Sequence, residues 1–177
     1  MNIIVFALKE EDCIPDYNGW VKIYTGIGKV NATYAITKAI TKYKPKKVIN
    51  FGTAGGVNLN KNEFVKFYKL YQLDMYCDNF TPLTFATPFE EDIGFIGKDG
   101  IRLGTSDTFV TNSEDIRETV DLVDMEAYAL AKVCKSENIE FKSYKYITDT
   151  CDEESHTDWN SNILKAKEFY KSVMETE

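Results

Sequence analysis

The run NIIVFAL (2–8) carries no polar residue after Asn2. A strand of that pattern is buried on both faces, so it belongs inside a sheet with helices above and below. Other segments fall into place around it. WVKIYTG (20–26) and FKSYKYITDT (141–150) read as further strands, and KVINFGTAGG (47–56) as a strand followed by a glycine turn. KVNATYAITKAITKYK (29–44) places Val30, Tyr34, Ile36, Ala39, Ile40 and Tyr43 near helical spacing, and Pro45 closes it. DLVDMEAYALAKVCKSEN (121–138) reads as strand then helix, and NSNILKAKEFYKSVMETE (160–177) as a closing amphipathic helix. The middle is β-rich: 63–76 is aromatic, and 94–110 carries hairpin punctuation at Lys98-Asp99-Gly100. Strands and helices therefore alternate at both ends, which predicts an α/β fold on a mainly parallel sheet.

Such sheets gather ligands beyond the carboxyl ends of their strands. Four predicted strand ends carry distinctive residues: Glu10 and Glu11, Gly52 to Gly56, Met125 and Glu126, and Thr148 and Asp149. Each has an ordinary explanation. Glycines serve tight turns. Glu126 would gain about 0.3–1 kcal/mol from the dipole of its own helix. Asp149 suits a cap, and Glu11 a solvated acidic turn. GIGKVN (26–31) begins like a dinucleotide fingerprint, but Asn31 stands where the third glycine belongs, so a turn and helix start is the simpler reading. The joint placement of these residues at strand ends is what points to a site.

Composition removes several classes. The formal charge of −7 argues against nucleic acid, and KYKPKK (42–47) is the densest basic run. No apolar stretch approaches a membrane span. Lys9, Glu10 and Glu11 interrupt the N-terminal apolar run, against a signal peptide. Cys13, Cys77, Cys134 and Cys151 form no C-x-x-C pair, as expected of reduced thiols in a cytoplasmic protein. The single His156 lacks partners at metal-site spacing, so no metal is expected.

The motifs ALKEE (7–11), TGIGKVNA (25–32), INFGTAGG (49–56), SDTFV (106–110), VDMEAYALAKVC (123–134) and ITDTCDEESH (147–156) span nearly the whole chain. In that order they resemble the purine nucleoside phosphorylase and nucleosidase superfamily, and within it the 5′-methylthioadenosine/S-adenosylhomocysteine nucleosidases. The resemblance implies a single three-layer α/β/α domain over 1–177 with a mixed, mainly parallel sheet, no cofactor, an adenine nucleoside and water as partners, and a homodimer. It implies that Glu11 orients and deprotonates water and that Asp149 protonates the purine N7, with Thr148 beside it in place of the usual Ser. Met125 and Glu126 would hold the ribose, Phe109 and Val110 the adenine, and Thr53, Ala54 and Gly55 would line the ribose and water site.

Phosphorylases of the same fold grip phosphate with arginines. This chain has only Arg102 and Arg117, both outside the matched motifs, so water is the preferred nucleophile. Lys9 and Lys29 keep phosphate as an alternative, and a non-catalytic adenosine-binding module is another. The chain is short for the family. The stretch between TPFEED (87–92) and SDTFV lacks room for the usual intervening helix, and Tyr76, Phe80, Phe85 and Phe89 are read as local core, an interface or a lid.

Overall fold

The computed structural model describes residues 1–66, 69–75, 93–94, 100–116 and 119–177. Tyr76, Cys77, Phe80, Phe85, Phe89, Lys98, Asp99 and Arg117 lie outside the described residues. Among the described residues nine strands form one sheet: β1 (Asn2–Phe6), β2 (Trp20–Tyr24), β3 (Lys47–Gly56), β4 (Phe64–Lys66), β5 (Lys69–Gln72), β6 (Ile93–Gly94), β7 (Arg102–Thr105), β8 (Leu122–Asp124) and β9 (Glu140–Asp149). The helices are α1 (Lys29–Tyr43), α2 (Ala127–Ser136), α3 (Ser155–Asn162) and α4 (Lys167–Met174). The order runs β2-β1-β3-β8-β7-β5-β6, with β9 paired to β3 and to β4. Pairing is parallel for β1–β2, β1–β3, β3–β9, β5–β7 and β7–β8, and antiparallel for β3–β8, β4–β9 and β5–β6. The mixed, mainly parallel sheet expected from the sequence is present.

Period-two alternation sorts the core. Ile3 and Val5 of β1 face one side with Ile36 of α1 and Leu130 of α2. Ile4 and Phe6 face the other with Phe51, Tyr144 and Tyr170 of α4. These are the two helix-covered layers that an unalternating strand requires. On α1 the buried stripe is Ala32, Ile36, Ala39 and Ile40. Val30 and Tyr34, expected on that stripe, lie across the helix axis and are exposed. Lys44 adopts left-handed backbone and ends α1 before Pro45. The closing helix predicted over 160–177 is divided: α3 begins earlier and ends at Asn162, whose side chain donates to the Thr148 carbonyl at 2.8 Å.

Strand β3 positions the site. Its first half pairs with β1 on one edge, through Val48 to Asn50. Beyond the end of β1 the same edge is taken by β8, antiparallel, with Gly55 opposite Val123. A crevice opens where β1 stops and β8 arrives, a topological switch of the kind that holds ligands.

The last residue of the chain ties this scaffold together. The Glu177 carboxylate accepts from Lys142 and Lys47, each at 2.7 Å, and from the Tyr144 hydroxyl at 3.2 Å. Burial opposes its ionisation, but the two lysines outweigh burial and hold it below its usual 4.5. A depressed carboxylate contributes stability above its unfolded value and loses it as pH falls through the folded one. Glu177→Gln should therefore cost about 1–2 kcal/mol at pH 7. The gap to the parent in urea denaturation should close below pH 4.5; a pH-independent gap would show that charge is not the cause.

Candidate active site

The crevice is a cavity of about 320 Å³, within the usual range for a small-molecule site. The ten residues to which the resemblance assigned roles line it: Glu11, Thr53, Ala54, Gly55, Phe109, Val110, Met125, Glu126, Thr148 and Asp149; Gly52 and Gly56 do not. Glu10, predicted at the same strand end, is exposed and does not line it.

Glu11 ends a single 3-10 turn (Lys9–Glu11) after β1 and is buried. Its Oε1 accepts from the Thr53 amide at 3.0 Å and the Thr53 hydroxyl at 2.9 Å, and its Oε2 from the Leu8 amide at 3.1 Å. Each carboxylate oxygen accepts about two hydrogen bonds, so Oε2 keeps room for a further donor. The Trp159 indole donates to the Thr53 hydroxyl at 3.0 Å, which fixes that hydroxyl toward Glu11.

At the seam of β8 and α2 the two acids divide their work. Asp124, not Glu126, caps α2: its Oδ2 accepts from the Ala127 amide at 2.8 Å. Its Oδ1 accepts from the Thr105 hydroxyl at 2.6 Å. Glu126 occupies the N-cap position, but its carboxylate reaches across the fold to accept from the Gly28 amide at 2.9 Å, at the start of α1. GIGKVN is thus a turn and helix start, and the anion at its amides is a protein carboxylate. The neighbouring Lys29 amide donates to Asp107 at 2.7 Å.

Asp149 ends β9 beside a bulge. Gly55 pairs with Asp149 where regular alternation would place Thr148, and such bulges re-aim side chains. The Thr148 hydroxyl donates to Asp149 Oδ2 at 2.9 Å, and the Cys151 amide to Oδ1 at 3.2 Å. The glycines of β3 serve close approach and not a turn, since β3 runs through Gly56 as strand. A Cβ on Gly55 would stand 2.6 Å from Cys151 Sγ and 2.9 Å from Asp149 Oδ1. One on Gly52 would stand 2.9 Å from Lys145 Nζ.

Lys145 was not singled out from the sequence, where it reads as one lysine in an alternating strand. It is 1% exposed and pairs with Asp124 at 2.8 Å. Burial disfavours its charge, but Asp124, Glu126 and Glu11 outweigh burial and raise its proton affinity above the usual 10.5. Burial also pushes Glu126 up to about 8, with Asp124 adding to the effect and Lys145 opposing it. Burial thus favours the protonated form of Glu126, while Lys145 and the Gly28 amide favour its anion. His156 and Trp159 of α3 also line the cavity unanticipated, and the His156 ring stacks on Phe109 with centroids 4.4 Å apart. Only the finding that a helix starts at Ser155 brings them to the rim.

Among the described residues no lysine or arginine lines the cavity. Lys29 is held by Asp74 and Asp107, Arg102 by Asp121, and Lys9 lies over the Tyr24 ring. No group of three or more His, Cys, Asp or Glu among them is placed to hold a metal.

The chain belongs to the phosphorylase superfamily, whose profile matches residues 19–176. It is 27% identical to a 5′-methylthioadenosine/S-adenosylhomocysteine nucleosidase of Bacillus cereus, over 88% of this chain and 80% of that one. Two solved structures of Helicobacter pylori share its fold, each with a TM-score of 0.87 and 21% identity. One is a futalosine hydrolase mutant, covering 99% of both chains. The other is a mutant 5′-methylthioadenosine nucleosidase with 5′-methylthioadenosine in its active site, covering 99% of this chain and 98% of that one.

Side-chain carboxyl ¹³C NMR should show Glu126 titrating near 8 in the free protein. In Lys145→Met that titration should move to higher pH, and denaturation should show a loss of about 3–5 kcal/mol, the usual cost of leaving one partner of a buried pair alone. An unmoved Glu126 titration would remove Lys145 from control of this site.

Proposed function

We propose that this chain is an N-glycosyl hydrolase that cleaves an adenine nucleoside of the 5′-methylthioadenosine/S-adenosylhomocysteine type to adenine and the 5′-substituted ribose. The observation that carries the reading is the convergence of Glu11, Glu126 and Asp149 on one cavity of nucleoside size. The departing base would carry negative charge, and a proton placed on N7 by Asp149 removes that obstacle. The sugar becomes oxocarbenium-like in the transition state. Glu126 accepts from its hydroxyls and, once deprotonated, favours its developing charge. Met125 forms the apolar wall under the sugar, and Phe109 and Val110 take the base. Glu11, with its open lone pair, activates water on the opposite face, as in an inverting glycosidase.

Water is favoured over phosphate because the described lining offers carboxylates and no fixed cation. A binding module without catalysis is disfavoured by the presence of both the acid and the base in one cavity. A futalosine hydrolase shares the fold, so futalosine belongs in the substrate panel.

Asp149→Asn should lower turnover about 10²–10⁴-fold, the range for losing a positioned acid, with substrate affinity nearly kept. Free purine base is the readout, from a panel of 5′-substituted adenosines and inosines and futalosine with and without phosphate. Turnover that needs phosphate would mean a phosphorylase, and full activity of Asp149→Asn would remove Asp149 as the acid.

The same proposal treats the chain as one domain, working in the cytoplasm as a homodimer; no helix among the described residues is long and apolar enough to cross a membrane. Exposed Val30 and Tyr34 lie on one side of α1, and exposed Ile27, in the turn just before it, also lines the cavity, so a second copy seated there would border the site. Sedimentation velocity should give a dimer that Val30→Asp/Tyr34→Asp converts to monomer. A parent chain that sediments as a monomer at micromolar concentration would end this part of the reading.

A further inference from the structure

We propose that Asp12 is a positioning residue for Glu11: together with Lys22 and Tyr24 it clamps the turn carrying Glu11 onto strand β2. The inference rests on the reading of Glu11 as the group that orients water. The turn itself is weak. It is three residues long, and its backbone closes through Glu11 N–H to the Leu8 carbonyl at 3.3 Å and Asp12 N–H to the Lys9 carbonyl at 3.1 Å. A single 3-10 turn with such bonds does not hold its own shape in water.

The clamp supplies what the turn lacks. Lys22 Nζ donates to both carboxylate oxygens of Asp12 at 2.9 Å and to the Ile14 carbonyl at 2.6 Å, so it grips the chain on both sides of Cys13. The Tyr24 hydroxyl donates to Asp12 Oδ2 at 2.5 Å. Burial, followed by the Asp12 hydrogen bond and charge, pushes this phenol up to about 12, so it stays a donor. Asp16 also approaches Lys22, at 3.3 Å, but is fully in solvent. The Asp12 and Lys22 side chains are only 11% and 13% exposed, so water competes weakly for the pair.

Lys22 and Tyr24 stand two residues apart on one face of β2. They are registered against Ile4 and Phe6 of β1, the strand that leads into the turn. The frame that holds Asp12 is therefore the frame from which Glu11 projects. Adjacent residues face opposite anchors: Asp12 meets β2, and Glu11 meets Thr53 of β3. With the clamp released, Glu11 would depend on Thr53 and the Leu8 amide alone. A misplacement of about 1 Å at a reacting group can cost about 10²-fold in rate.

The test leaves the turn's own sequence untouched. In the full chain, Lys22→Met/Tyr24→Phe should lower kcat for adenine release about tenfold or more, with KM within about twofold, because the sugar and base contacts lie elsewhere. Lys22→Arg should restore most of kcat. An unchanged kcat would overturn the proposal, as would parallel changes in kcat and KM matched by a collapse in melting temperature. A crystal structure of the double variant decides independently of activity. Glu11 displaced from Thr53 supports the clamp; Glu11 Oε1 still at 3.0 Å from the Thr53 amide overturns it. If the parent chain releases no base from any nucleoside, the hydrolase reading fails, and the structure alone decides the clamp.

Discussion

A single buried ammonium organises the centre of this molecule. Lys145 pairs directly with Asp124, and Asp124, Glu126 and Glu11 together favour its charged form against burial. Taking an ion out of water costs several kcal/mol, offset only when geometry and hydrogen bonds are good. Here they are: Asp124 also accepts from Thr105 and from the first amide of α2, and among the described residues no fully buried side-chain polar atom lacks a partner. One ion pair thus joins β9, β8, β7 and the start of α2. That junction fixes where Met125 and Glu126 point.

The sheet topology explains why a site forms here. Strand β3 is ten residues long and β1 only five. The shortfall leaves polar edge that β8 fills only at its far end. Between them, side chains from the turn after β1, from β3, from the start of α2 and from the end of β9 meet with little backbone in the way. The bulge opposite Gly55 completes the convergence by turning the end of β9 inward.

Much of this was legible in the sequence. Apolar runs without alternation gave the central strands, and acids and glycines at four strand ends gave the cavity. What stayed hidden depends on contacts between distant segments. SYKY in β9 looks like any half-buried strand, and nothing local says that Lys145 points into a cluster of acids. The glycines of β3 suggested a turn, because a sequence does not show which side chains press against a strand. Val30 and Tyr34 satisfied helical spacing yet fell off the buried stripe, since apolar positions on α1 outnumber those that one sheet face can cover. His156 was weighed only as a metal ligand and Trp159 not at all, because the polar stretch around them conceals a helix start.

The closeness of Lys145 to Gly52 reaches beyond this one chain. A methyl group at position 52 would meet the end of the lysine, so the two sites are bound to one another although they lie on different strands. Through evolutionary drift, a larger residue at 52 should be admitted only alongside a shorter or re-routed one at 145. The pair should leave a covariation signal among related sequences, and position 55 should leave another with 151.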